Sequence, residues 1–146
     1  MSGARALSSS PLSYLAFDFG MRRVGVASGN SLTRTATPLT TLALEGEARL
    51  SAIAALIREW RPAELVVGVP FHPDGAAHVN TERARRFARE LRSRFGLTVH
   101  EVDERYTTTA AKSATRGTGS ADLDAAAAAI ILEQHLAWLD ADGSAR

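Results

Sequence analysis

The sequence predicts a single α/β domain in which a mixed sheet is flanked by helices. Two observations carry that class. The elements read in the order β-β-β-α-β-α-β-α-α, an opening meander followed by alternation of strand and helix. Leu65-Val66-Val67-Gly68-Val69 is a short apolar run without alternation, the pattern of a strand buried on both faces in parallel pairing. The length of 146 residues suits one domain with its own core. The expected boundaries are a disordered tail over 1–12, the domain over 13–139 and a second tail over 140–146.

Each element has a local reason. Tyr14 to Gly20 is rich in aromatic and bulky apolar residues and reads as a strand. Met21-Arg22-Arg23 is a short turn, and Val24 to Ser28 returns, so 14–28 forms a hairpin. Thr35 to Leu42 is a third strand, in which Pro38 favours an edge position or a bulge. Leu50, Ile53, Ala54, Ile57 and Trp60 place one apolar face on a helix over 45–60. Arg61-Pro62 ends it. A loop over 71–78 contains Pro73-Asp74-Gly75. Ala84, Phe87, Ala88, Leu91 and Phe95 line the inner face of a helix over 80–95, which Gly96 stops. Residues 97–104 read as a strand, 107–114 as a short helix and 122–139 as the last helix.

Composition narrows the function. The chain is 45% apolar and 23% charged, with net charge +1, so it is globular and not strongly basic. It has no cysteine, which excludes a disulfide scaffold, a thiolate zinc site and a cysteine nucleophile. No run approaches a membrane span, and the first dozen residues lack the apolar region of a signal peptide. A cytoplasmic protein without membrane contact is expected. Of 17 basic residues only Lys112 is lysine. Codon usage explains most of that bias. Its chemical consequence is that nearly every cation is a planar fork suited to phosphate.

Three carboxylates stand where packing alone would not put them. Asp18 lies inside an apolar strand, and period-two alternation sets it opposite Phe17 and Phe19, alongside Tyr14 and Ala16. It reads either as an acid bonding a turn N–H or as a site residue. Glu104 ends a strand beside Asp103 and Arg105, where a local ion pair is the simpler account. Asp124 opens the helix bearing Ala125 to Ala129, where capping is the simpler account, although Asp122 competes for that role. The alanine run allows the helix to lie close to a sheet and would bring Asp124 within reach of strand acids. Three gathered carboxylates repel unless a cation joins them. A hard divalent ion such as Mg²⁺ takes such ligands together with substrate phosphate. A pair of such ions can activate a water and stabilise the leaving oxygen of a phosphodiester.

Longer stretches carry a family pattern. Leu15-Ala16-Phe17-Asp18-Phe19-Gly20 with Arg22 to Ala27, Thr37-Pro38-Leu39, Val66 to Pro70 with Asp74-Gly75, Val102 to Thr108, and Asp124 to Leu132 resemble the YqgF/RuvX family. The match runs over about residues 13–139, with the motifs in family order. The resemblance implies a ribonuclease H-like fold related to Holliday-junction resolvases. It also implies a bacterial nuclease maturing the 5′ end of pre-16S ribosomal RNA. By motif position, Asp18, Glu104 and Asp124 would be the metal-binding catalytic carboxylates, with Mg²⁺ or Mn²⁺. The chain departs from the family at Ser28-Gly29-Asn30, where an acid is frequent, and at Phe71-His72-Pro73. Neither change removes a proposed ligand.

Phosphates also need holding. Arg22 and Arg23 in the hairpin turn, Arg105 beside Glu104, and Arg116 before the last helix are the candidate nucleic-acid contacts. The helix over 81–95 carries six arginines, and a solvated face is preferred to a nucleic-acid face for it. Asp18-Phe19-Gly20 echoes a kinase motif without the rest of that signature. The four histidines show no metal-ligand spacing.

The sequence therefore points to a metal-dependent endonuclease acting on RNA, in pre-ribosomal particles if the resemblance holds. Two alternatives stand beside it. One is a resolvase acting on four-way DNA, which would normally be a symmetric dimer. The other is a non-catalytic RNA-binding assembly factor. A monomer or weak homodimer is expected.

Overall fold

The computed structural model describes residues 11–106 and 120–141. Five strands form one sheet in the order β3-β2-β1-β4-β5. They are β1 (Ser13–Phe19), β2 (Val24–Asn30), β3 (Ala36–Leu42), β4 (Glu64–Val69) and β5 (Thr98–Asp103). The helices are α1 (Gly46–Trp60), α2 (Thr81–Phe95) and α3 (Ser120–Ala141), and Glu104–Tyr106 forms one 3₁₀ turn. The short helix expected over 107–114 lies outside the described residues, as do Lys112 and Arg116. Among the described residues, no helix is long and apolar enough to cross a membrane.

β1 pairs antiparallel with β2 and parallel with β4, and β4 pairs parallel with β5. The apolar run of β4 is thus an interior parallel strand, buried from Leu65 to Val69. Pro38 sits on the edge strand β3, beside a register irregularity at Val26/Ala27. Its missing N–H is harmless there. Two corrections concern element ends. β5 stops at Asp103 and Glu104 opens the 3₁₀ turn. There the Asp103 carboxylate accepts the Arg105 backbone N–H at 2.9 Å, which bends the chain out of the strand. The last helix starts at Ser120, two residues before the expected point.

Alternation divides the strand side chains between two cores. Leu15, Phe17, Leu65, Val67 and Val99 pack with Leu50 and Ile53 of α1 and with Phe87 and Leu91 of α2. Tyr14, Ala16, Val66 and Val102 face Ile131, Leu132 and Leu136 of α3. A fully buried side chain of this size contributes about 1.5–3 kcal/mol. Ala27 meets Ala128 and Ala129 in a third, smaller cluster, so α3 lies close on β2 as the alanine run suggested. Asp18 therefore belongs to the α3 face and Phe19 to the other.

The far end of the α3 face is polar. His135 is 7% exposed and its Nε2 has no hydrogen-bond partner among the described residues. Its ring lies 4.5 Å from that of His100 and edge-on to Tyr14 at 5.3 Å. His100 Nε2 in turn stands 2.7 Å from Glu64 Oε1. Burial, with the nearby charge of His100, pushes His135 down to about 4. Burial, with the charge of Glu64, pushes the Tyr14 phenol up to about 12.

Candidate active site

The site forms at the end of the sheet where β1, β4 and β5 all finish. Asp18 is half-buried on the α3 face. Its register partners are Gly25 on β2 and Gly68 on β4. The carboxylate is thus flanked on both sides by positions without side chains. Each bare position is covered by one of the other two acids. A Cβ on Gly25 would lie 1.8 Å from the Asp124 backbone oxygen, and a Cβ on Gly68 would lie 2.7 Å from Glu104 Oε2. Neighbouring strands run about 4.8 Å apart. Asp18, Glu104 and Asp124 are therefore drawn over one row of the sheet.

The gathering is open. Among the described residues, no three or more His, Asp or Glu side chains are arranged to hold a metal ion. The donor chemistry nevertheless suits a hard cation. Asp124 Oδ2 is sealed from solvent and accepts no aligned hydrogen bond, although Arg23 Nε stands 2.8 Å away as an ion pair. Carboxylate oxygens, without thiolate or imidazole, are the ligands Mg²⁺ and Mn²⁺ prefer. α3 begins four residues before Asp124, so Asp124 is not the helix cap.

The four candidate arginines differ. Arg22 is exposed in the turn. Arg23 is the partner of Asp124. Arg105 grips Asp103 through Nε and Nη2, at 3.1 and 2.7 Å, and its guanidinium lies 5.5 Å from the Phe71 ring centroid. That hydrogen bonding holds the Asp103 carboxyl below the usual range. Arg85 covers Phe71 as well, at 5.2 Å. Arg105 is thus tied to the loop after β4. Arg116 lies outside the described residues.

On α2 the carboxylates answer the cations. Arg89 pairs with Glu82, Arg85 and Arg92 with Glu101, and Arg94 with Glu47. Four of the six arginines of α2 are thus ion-paired.

Three residues escaped the sequence reading. Gly25 and Gly68 interrupt strands, and an isolated strand glycine signals close approach by another backbone or side chain. Their meaning appears only with the cross-strand register. Arg49 is 6% exposed and carries no sequence signal, since it occupies an ordinary position beside Leu50.

Known proteins share this arrangement of sequence. The profile of the RuvX family, described as "Holliday junction resolvase", matches residues 12–138. The chain belongs to the RuvX family. A Polaromonas relative named "Putative pre-16S rRNA nuclease" is 64% identical over 123 residues, covering 84% of this chain and 86% of the relative. A Paraburkholderia phytofirmans relative of the same name is 54% identical over 131 residues, covering 88% and 90%. Among solved structures, Thermus thermophilus RuvC in complex with a Holliday junction substrate aligns with TM-score 0.59 at 14% identity. That alignment covers 91% of this chain and 98% of the other. At such identity the likeness carries the fold, which is the ribonuclease H-like sheet and helices that the RuvX motifs imply.

Proposed function

We propose that this RuvX-family chain is a metal-dependent endonuclease that hydrolyses phosphodiester bonds in RNA and matures the 5′ end of pre-16S rRNA. The observation that carries the chemistry is the flanking of Asp18 by Gly25 and Gly68, with Asp124 above one and Glu104 above the other. The substrate class is supported by the names of the relatives.

Asp18, Glu104 and Asp124 would hold Mg²⁺ or Mn²⁺, which supplies Lewis-acid stabilisation of phosphate charge and an activated water. The chain's own part is positional. Asp18 anchors the site from a rigid central strand. Glu104 is carried to it by the 3₁₀ turn, and Asp124 by the close docking of α3. Arg22 and Arg23 contact substrate phosphates and set its register without reading sequence. Arg105 acts through the loop at Phe71, and Arg116 is a further phosphate contact.

The second reading is cleavage of four-way DNA, which the family description and the RuvC-like fold favour. One assay separates the two. Wild type and Asp18→Asn are compared, with Mg²⁺, Mn²⁺ or chelator, on RNA bearing the 5′ extension and on a DNA junction. The expected result is metal-dependent RNA cutting that vanishes in the variant and with chelator. Junction cutting by a stable dimer moves the function to DNA. RNA binding without any cutting overturns the enzyme. A monomer or weak homodimer in a cytoplasmic setting completes the proposal.

A further inference from the structure

Arg49 belongs to α1, which contributes no residue to the carboxylate site and packs on the opposite face of the sheet. Its side chain is nonetheless spent on the site's edge. Nε donates to the Leu44 carbonyl at 2.7 Å, and Nη2 donates to the carbonyls of Gly20 and Met21 at 3.0 and 2.9 Å. The guanidinium carbon stands 5.4 Å from the Phe19 ring centroid. Burial lowers the proton affinity of this group, with the charges of Glu45 and Glu90 acting the other way.

A guanidinium is an expensive thing to desolvate, and an apolar side chain would fill the same space at less cost. What an apolar side chain cannot do is bind two successive turn carbonyls and a third from another loop with one planar fork. Gly20 and Met21 are the residues between Asp18-Phe19 and Arg22-Arg23. The turn they form presents Arg23 to Asp124 at 2.8 Å. Side chains on α2 add little to this turn. Arg83 Nη1 touches Met21 Sδ at 3.0 Å and Asn80 Oδ1 at 3.3 Å, and both contacts are exposed.

We infer that Arg49 is a positioning residue for the nuclease site: it clamps the β1–β2 turn from the opposite face of the sheet, so that Arg23 is held against Asp124. This rests on the carboxylate reading above, and the experiment is chosen so that the two can fail separately. A misplacement of about 1 Å in a site costs about 10²-fold in rate, so loosening this turn is visible in turnover.

Arg49→Met and Arg49→Lys are made in the full chain, alone and with Arg23→Ala. Amide exchange is measured by residue, and kcat and KM on the RNA. In Arg49→Met, exchange at residues 21–24 is expected to rise about tenfold or more while β4 amides are unchanged. kcat is expected to fall about tenfold, and in the Arg23→Ala background Arg49→Met is expected to cost nothing further, because both changes break one link. Arg49→Lys, a point charge without the fork, recovers less than half of either effect and supplies the same readouts if Arg49→Met does not fold. Unchanged exchange in the turn overturns the clamp. Losses that multiply in the double variant overturn the route through Arg23. If wild type cuts neither RNA nor junction, the nuclease reading fails, and the exchange data alone decide the clamp.

Discussion

The α-carbon of Gly25 faces the backbone of Asp124 so closely that a methyl group there would lie 1.8 Å from the Asp124 oxygen. Sheet and helix meet at this point with nothing between them. Gly25→Ala must push α3 off β2, because the obstacle is backbone and cannot rotate away. The expected cost is about 3 kcal/mol, read as a fall in Tm of about 10 °C, with cleavage lost. Gly68→Ala is the contrast. Its methyl would meet the side-chain atoms Ile131 Cδ1 and Glu104 Oε2, at 2.4 and 2.7 Å, and these can turn aside. Thermal melting should show a smaller loss, of about 1 kcal/mol, while displacement of Glu104 lowers cleavage about tenfold or more.

Neutralising the carboxylates should separate chemistry from folding. Asp18→Asn, Glu104→Gln and Asp124→Asn are each expected to lower kcat by about 10²-fold or more. Pairs of these changes should cost little beyond the single ones, since the three act as a unit. Single-turnover rates at saturating metal check this. Asp18→Asn should keep its melting temperature, because the variant retains the strand and its register.

Salt dependence distinguishes substrate cations from structural ones. Arg22 is exposed at the turn, and Arg22→Ala is expected to weaken RNA binding equally across sequences. The slope of log K against log salt should flatten by about 0.7 per lost phosphate contact on single-stranded RNA. Arg89 is paired with Glu82 on α2. Arg89→Ala should leave the slope unchanged. Binding titrations over a range of salt concentrations measure both.

Acid should loosen the fold through His135. Its folded-state value is about 4, depressed by burial first and by the charge of His100 second. An unfolded histidine titrates near 6.5. Between those values the unfolded chain binds the extra proton, so stability is full above about pH 6.5 and declines as pH falls toward 4. The loss over that window is about 3 kcal/mol, at 1.36 kcal/mol for each pH unit. His135→Leu should flatten that part of the stability–pH curve. Urea unfolding at successive pH values gives the comparison.

Much of this was legible in the sequence, and the remainder had identifiable reasons. Alternation placed Asp18 on the face of Tyr14 and Ala16 because the side-chain period of a strand depends on nothing outside it. The unalternating run at Leu65–Val69 announced an interior parallel strand for a similar reason. Glu104 was placed one step wrong, at the end of a strand. What ends β5 is a bond from the Arg105 N–H to the Asp103 side chain, and strand propensity does not see it. Gly25 and Gly68 could be read as strand interruptions, but not as the two neighbours of Asp18. That fact belongs to pairing across the sheet. Arg49 was invisible because its partners, Gly20, Met21 and Leu44, lie between 5 and 29 residues away, in turns whose carbonyls point wherever the fold sends them.

The three acids are spread along the chain, at positions 18, 104 and 124, and the last rides on the final helix. Synthesis proceeds from the N-terminus. A nascent polypeptide that has emerged only as far as β5 holds all five strands but not α3, and so lacks Asp124. On the proposed reading such a chain holds Asp18 and Glu104 without their third partner, and cutting would await the settling of α3 onto β2.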